Sequence, residues 1–154
     1  MDKEVYDKIQ TYISNHPIAT LGTINADGTP QGAVVYVCAD THRPVVYFIT
    51  KQETAKYKNL KDRNQVSLTI VNPADNSTLQ ANGKALTIQD PDIIDIVMKK
   101  IAHEHVSAKE WLPPIAKLRA GAYEVVGVEL ERARLAHFNG MTIGSKDIFI
   151  GGEI

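Results

Sequence analysis

The sequence predicts a mainly β domain, a barrel or sandwich of antiparallel strands with two or three helices at its edges. About six or seven short runs are apolar or alternate between apolar and polar residues, as strands do. Most of these runs are joined by tight turns, which connect antiparallel neighbours. The first three follow one another without an intervening helix, so a doubly wound parallel sheet is not expected.

An amphipathic helix begins the domain, since apolar residues recur at helical spacing over residues 3–14. Pro17 biases His16 away from the helical conformation and so ends this helix. Three strands follow, with an Asp27-Gly28 hairpin turn between the first and the second. These strands are predicted at residues 18–24, 31–39 and 45–50.

A second helix is predicted over residues 53–62, where Thr50 and Glu53 fit the capping-box pattern S/T-x-x-E. Gly83 interrupts a later strand and indicates a bulge or a sharp bend there. The two strands that follow the helix are predicted at residues 65–71 and 78–88.

The last part of the domain begins with a third helix, for which Asp90 is the expected N-cap and Pro91 the first residue. Residues 122–130 are predicted to form a strand, and residues 133–138 another. The tail, about residues 139–154, is predicted to form a short hairpin or an arm.

Composition favours a single globular domain over residues 1–154, since 44% of the residues are apolar and 23% are charged. The formal net charge of −1 lacks the basic excess of a nucleic-acid binder. The lone cysteine, Cys38, permits no internal disulfide, which favours a cytoplasmic location. The charged N-terminal segment is unlike a signal peptide, and no apolar run approaches the ~20 residues that span a bilayer.

Four motifs, taken in order, resemble the pyridoxamine 5'-phosphate oxidase-like family of FMN-binding split β-barrel proteins. A D-G-x-P hairpin turn at Asp27 is followed by a strand that ends in Thr50. A Ser/Thr-x-Lys motif lies near the start of the next helix, at residues 54–56, and NQVSL begins ten residues on, at Asn64. The resemblance covers residues 1–90 and is looser over the final strand.

This resemblance implies a six-stranded antiparallel Greek-key split barrel that works as a homodimer, with FMN at the subunit interface. The FMN phosphate would be held where the third strand passes into the following helix. The implied cofactor-binding positions are Thr50, Thr54 and Lys56 at the phosphate, Ile49 and the segment Ala33 to Tyr36 (with Val34 and Val35) beside the ring, and Thr78 and Gln80 from the partner subunit.

Elementary electrostatics agrees with the implied phosphate position. The first turn of an α-helix presents unbonded N–H groups and partial positive charge, which suit a phosphate. A hydroxyl at Thr54 adds a hydrogen bond, and Lys56 adds a full positive charge. Local rules alone would equally allow a plain helix cap with solvated lysines over residues 50–56.

The resemblance further implies an FMN-dependent oxidoreductase that acts on a small molecule, with a reduced nicotinamide as electron donor. The oxidase's own C-terminal substrate motif, an Arg and a His near a late Trp, is not convincingly matched, so pyridoxamine phosphate is not the expected substrate. No catalytic residue stands out, which is compatible with hydride transfer. The second strand is apolar on both faces, and this also favours a dimer.

Two alternatives stay open at this point. One is a family member that uses a deazaflavin in place of FMN. The other is a non-catalytic flavin- or haem-binding sensor, with His103, His105 or His137 as the haem ligand. No metal site is expected at His103 and His105, because residues two apart on a helix face different sides.

Overall fold

Six antiparallel strands close into a barrel with three helices packed around it, in a computed structural model that describes residues 3–104 and 122–138. The elements in chain order are α1 (Lys3–Asn15), β1 (Ile18–Ile24), β2 (Pro30–Ala39), β3 (Val45–Lys51), α2 (Ala55–Asp62), β4 (Gln65–Asn72), β5 (Ser77–Thr87), α3 (Pro91–Glu104) and β6 (Tyr123–His137). Around the barrel the strands neighbour one another in the order β1-β2-β3-β6-β5-β4, and β4 pairs with β1 to close it. The predicted mainly β barrel with peripheral helices is confirmed.

The main hydrophobic core fills the barrel interior. Successive side chains of a strand point to opposite faces, so alternate residues such as Val46 and Phe48 of β3 enter the interior. Helix α1 contributes Ile9 and Ile13 to the same cluster. None of the described helices is long and apolar enough to cross a bilayer.

A second cluster lies outside the barrel, where α3 packs over β2 and β3. We call it the α3 cluster. Its buried members are Tyr36, Val45, Tyr47, Ile49, Ile88, Val97, Ile101 and Val125. The apolar outer face of β2 is therefore partly covered within one protomer, by its own helix.

Two predicted boundaries were wrong. Residues 122–130 and 133–138 do not form two strands, because β6 runs continuously from Tyr123 to His137. The capping box at Thr50 does not form either. Thr50 pairs with Glu124 in the β3–β6 ladder, so the strand continues through Lys51 and the N-cap of α2 is Thr54.

Three local predictions were confirmed. Asp27 closes the first hairpin, because its Oδ1 accepts a hydrogen bond from the Thr29 N–H at 3.0 Å, and Gly28 has a positive φ of 85°. Asp90 Oδ1 accepts from the Asp92 N–H at 2.9 Å, as an N-cap does. The β5–β6 register shifts between Asn82 and Gly83.

The bulge at this register shift lies on β6, opposite Gly83. Asn82 pairs with Arg132 and Gly83 pairs with Leu130, so Glu131 has no pairing partner on β5. The predicted C-terminal arm, residues 139–154, lies outside the described residues. His105 and the side chain of His103 lie outside them as well.

Candidate functional site

A pair of threonine hydroxyls fixes the passage from β3 to α2. Thr54 is extended (φ −73°, ψ 148°), and its Oγ1 accepts a hydrogen bond from the Tyr57 N–H. The Thr54 hydroxyl donates to the Lys51 carbonyl at 2.8 Å, and its Oγ1 lies 2.9 Å from that of Thr50. Thr50 is only 1% exposed. Both hydroxyls are therefore engaged within the chain, where they set the shape of the turn.

Two backbone N–H groups at the start of α2 have no acceptor in the part of the chain that the structure describes. Ala55 and Lys56 are the first residues of the helix, where no preceding helical carbonyl can accept their hydrogens. Neither N–H finds an acceptor within residues 3–104 and 122–138. A helix start with unbonded N–H groups attracts anions, because the partial positive charge of the helix dipole adds to the hydrogen bonds.

Lys56 is the second residue of this helix, and its side chain is half-buried. Burial lowers the pKa of Lys56 below its usual value of 10.5, because desolvation disfavours the charged form. No carboxylate in the described part of the chain pairs with it. An anion bound here would supply the missing counter-charge, so the residues present fit a phosphate group.

The other charged groups of the segment are arranged differently. The Lys51 ammonium lies 5.7 Å from the centre of the Tyr123 ring, a cation–π distance. Glu53 and Lys58 are exposed to solvent. Lys56 is thus the lysine of this segment that combines partial burial with the lack of a partner in the described residues.

The predicted ring-side residues fall into three environments. Val34 is 48% exposed on the outer face of β2. The side chain of Val35 points into the barrel core, so only its backbone could face a ligand. Tyr36 and Ile49, each 4% exposed, lie in the α3 cluster. Among these predicted ring-side residues, only Val34 therefore presents a largely accessible side chain.

Thr78 and Gln80 lie on the outer face of β5, which is three strands away from β2 around the barrel. Gln80 belongs to a row of paired residues that crosses five strands, which we call the Gln80 row. Its members, from β2 to β6, are Val34, Thr20, Thr69, Gln80 and Arg134. The structure thus places Val34 and Gln80 on one continuous surface, three strands apart.

One protomer does not bring the two halves of the predicted site together. Thr50 pairs with Glu124 and Gln80 pairs with Arg134, both on β6. These two partners are ten positions apart, a separation of roughly 33 Å along the strand. A single flavin could contact both halves only if they came from different protomers.

The sequence analysis missed Arg132 and Arg134, which the register places on the same outer face as Gln80. Their spacing in the sequence was a usable signal, because residues two apart in a strand share a face. Within the described residues, no three His, Cys, Asp or Glu side chains are placed to hold a metal ion.

One family matches most of the chain. Residues 5–136 match the family described as pyridoxamine 5'-phosphate oxidase. No curated protein matches the chain.

Solved structures show the same fold at low sequence identity. General stress protein 26 of Bacillus anthracis superposes with a TM-score of 0.68 at 14% identity, covering 96% of this chain and 98% of that one. A pyridoxamine 5'-phosphate oxidase-related, FMN-binding protein of Nostoc punctiforme gives 0.65 at 11% identity, covering 92% and 86%. A haem-binding protein of Mycobacterium smegmatis gives 0.68 at 12% identity, covering 98% of this chain and 59% of that one.

Proposed function

The chain belongs to the pyridoxamine 5'-phosphate oxidase family, and on that premise we propose that it binds FMN between two protomers and acts as a flavin-dependent oxidoreductase on a small molecule. The observation that carries the proposal is the half-buried Lys56 ammonium, which has no counter-charge in the described residues and adjoins a helix start with unbonded N–H groups. An FMN-binding protein among the similar structures supports the choice of ligand.

The residues of this chain would divide the work of binding. Lys56 and the N–H groups of Ala55 and Lys56 would hold the phosphate, while Thr50 and Thr54 keep the turn in shape. Val34 on one protomer and Gln80 on its partner would border the ring. Bound FMN supplies redox chemistry, and the protein supplies binding, orientation and exclusion of water. A reduced nicotinamide is the electron donor we propose.

Affinity for FMN should depend on its phosphate. We expect FMN to bind at least about tenfold more tightly than riboflavin, because one charged hydrogen bond contributes ~1.5–3 kcal/mol. Quenching of flavin fluorescence on titration of the protein measures both affinities. Riboflavin is the matched control, since it has the same ring without the phosphate. Equal affinities would show that residues 50–56 form no phosphate site.

A shared site should be restored by mixing two defective protomers. Lys56→Met disables the phosphate half, and Gln80→Glu places a negative charge in the ring half. After dissociation and re-pairing, half of the dimers are mixed and each has one intact site, so about a quarter of all sites should bind FMN with normal affinity. Lys56→Met mixed with Lys56→Glu is the control, which should restore none. If the first mixture does not restore binding, then either both halves of the site lie in one protomer or Gln80 is not part of the site.

Haem binding is the second candidate, because a similar structure binds haem and His137 borders a cavity of about 660 Å³. This cavity lies between α1 and the end of the barrel, and His16 and Tyr12 also line it. Titration with haem in parallel with FMN separates the two candidates. A Soret shift that is lost in His137→Ala, together with no affinity for FMN, would favour haem. The remaining alternative is a protein that uses a deazaflavin. Tighter binding of a deazaflavin than of FMN in a competition titration would favour it.

A further inference from the structure

A second row of paired residues runs beside the Gln80 row on the outer face of the barrel. We call it the Asn82 row. Its members, from β2 to β6, are Gly32, Gly22, Ser67, Asn82 and Arg132. Since residues two apart on each strand share a face, the two rows form one outward surface.

This surface contains a groove whose floor is glycine and whose far side carries arginine. Gly22 and Gly83 line the groove without side chains, and a Cβ on Gly22 would overlap the Ser67 hydroxyl. A groove of about 800 Å³ lies over Gly22, Ser67, Asn82 and Arg132. It adjoins one of about 310 Å³ lined by Thr69, Gln80 and Arg134. Each of the two volumes is within the range of small-molecule sites, about 300–1,000 Å³.

Four uncharged polar side chains in the groove have no hydrogen-bond partner among the described residues. The side chains of Ser67, Thr69, Gln80 and Asn82 make no hydrogen bond within residues 3–104 and 122–138. These hydroxyl and amide groups supply both donors and acceptors, so they can bind and orient a polar ligand.

The charge of the groove is positive on its β6 side. Lys84 and Glu131 form an ion pair at 3.2 Å and offset each other. Arg132 is exposed, and no carboxylate in residues 3–104 or 122–138 pairs with it. Arg134, two residues further along β6, lies on the same face. The guanidinium of Arg132 can therefore donate two parallel hydrogen bonds to an incoming anion.

We propose that this groove binds a small anionic molecule, whose carboxylate or phosphate pairs with Arg132 and whose body lies over the glycine floor. The groove would serve the flavin reaction proposed above, so the role of its ligand rests on that proposed function. Gln80, on the ring side of the proposed FMN site, is the direct neighbour of Arg134 and lines the same surface. The anion would therefore be the substrate or the product of the flavin reaction.

Three probes with one ring system test the proposal. Benzoate carries a carboxylate, phenyl phosphate carries a phosphate, and benzamide is the neutral analogue of benzoate. Ligand-observed NMR measures their affinity for the protein with and without FMN. We expect one or both anions to bind and benzamide to bind at least about tenfold more weakly. The tighter of the two anions identifies the class of anionic group. Equal binding of benzamide and benzoate, or no binding of either anion, would overturn the proposal.

Variants of Arg132 connect the binding to this groove. Arg132→Gln should weaken anion binding about 10- to 100-fold, and Arg132→Lys should recover only part of the affinity, because lysine lacks the planar fork. Lys3→Gln on α1 changes the net charge equally and should have no effect. Unchanged affinity in Arg132→Gln would overturn the proposal. Because Arg132 is exposed, the variant is expected to fold normally.

The two titrations, with FMN and with the anions, test the flavin function and the groove separately. If FMN does not bind but the anions bind in an Arg132-dependent way, the groove is a binding site and the flavin function is wrong. If FMN binds and the anions do not, the flavin function stands and the groove proposal is overturned.

Discussion

Gly83→Ala is expected to destabilise the barrel more than any other conservative exchange proposed for this chain. A Cβ at this position would overlap the carbonyl oxygen of Glu129 and lie 2.8 Å from its carbonyl carbon and 3.1 Å from the Leu130 Cα. All three are backbone atoms of β6, and they are held by the β5–β6 ladder beside the bulge at Glu131. Relief of the overlap requires that the two strands separate locally, so a rotamer change cannot accommodate the methyl group.

The expected loss in free energy of unfolding is about 3 kcal/mol, the upper part of the usual range for overpacking. For a domain of this size, that corresponds to a fall in melting temperature of roughly 10 °C, measurable by calorimetry or circular dichroism. Gly32→Ala is the matched control, because its Cβ would lie 3.8 Å from the Thr20 Cγ2, an ordinary contact. Equal melting temperatures for the two variants would show that β6 is not held close to Gly83.

The bulge illustrates what a sequence can reveal about such a fold. A lone glycine in the long strand containing Gly83 predicts an irregularity, because glycine otherwise weakens a strand. The sequence could not show that the extra residue is Glu131, since that depends on the pairing of Gly83 with Leu130, 47 residues later in the chain. It predicted the strands and turns well, because hairpins such as the one at Asp27 are determined by neighbouring residues.

The start of α2 shows why local rules can choose the wrong residue. Both Thr50 and Thr54 are good N-cap residues, and only Thr50 is followed by a glutamate in capping-box register. The choice is made by tertiary structure, because pairing with Glu124 keeps Thr50 and Lys51 in β3. Thr54 then becomes the first residue that can cap the helix.

The two halves of the candidate site differ in how far the sequence could predict them. The phosphate half is local, so the nearness of Thr50, Thr54 and Lys56 could be predicted from their spacing. The outer surface is assembled from five strands, so the neighbours of Gln80 follow only from the register. The faces of strand residues also depend on the register, and this places Val35 inside the core.

Lys56→Met is expected to weaken FMN binding about 10- to 100-fold, since it removes the charged partner of the phosphate. It should leave the melting temperature of the FMN-free protein unchanged or slightly higher. The reason is that a half-buried ammonium without a counter-charge in the described residues costs desolvation energy, whereas a methionine of similar shape does not. Fluorescence titration and thermal unfolding measure the two effects separately. If Lys56→Met lowered the free energy of unfolding by as much as it lowered the free energy of FMN binding, Lys56 would have a structural role instead.

The pH dependence of FMN binding gives an independent test of the same residue. Burial lowers the pKa of Lys56, so the free protein loses this positive charge at a lower pH than an ordinary lysine does. Affinity for FMN should therefore be greatest between the second pKa of the phosphate, about 6, and the pKa of Lys56, and should fall as the pH rises through the latter. Lys56→Met should lack this alkaline fall, while Lys58→Met, an exposed lysine of the same helix, should retain it. If the fall persists unchanged in Lys56→Met, it comes from a group other than Lys56, because a residue that is absent cannot titrate.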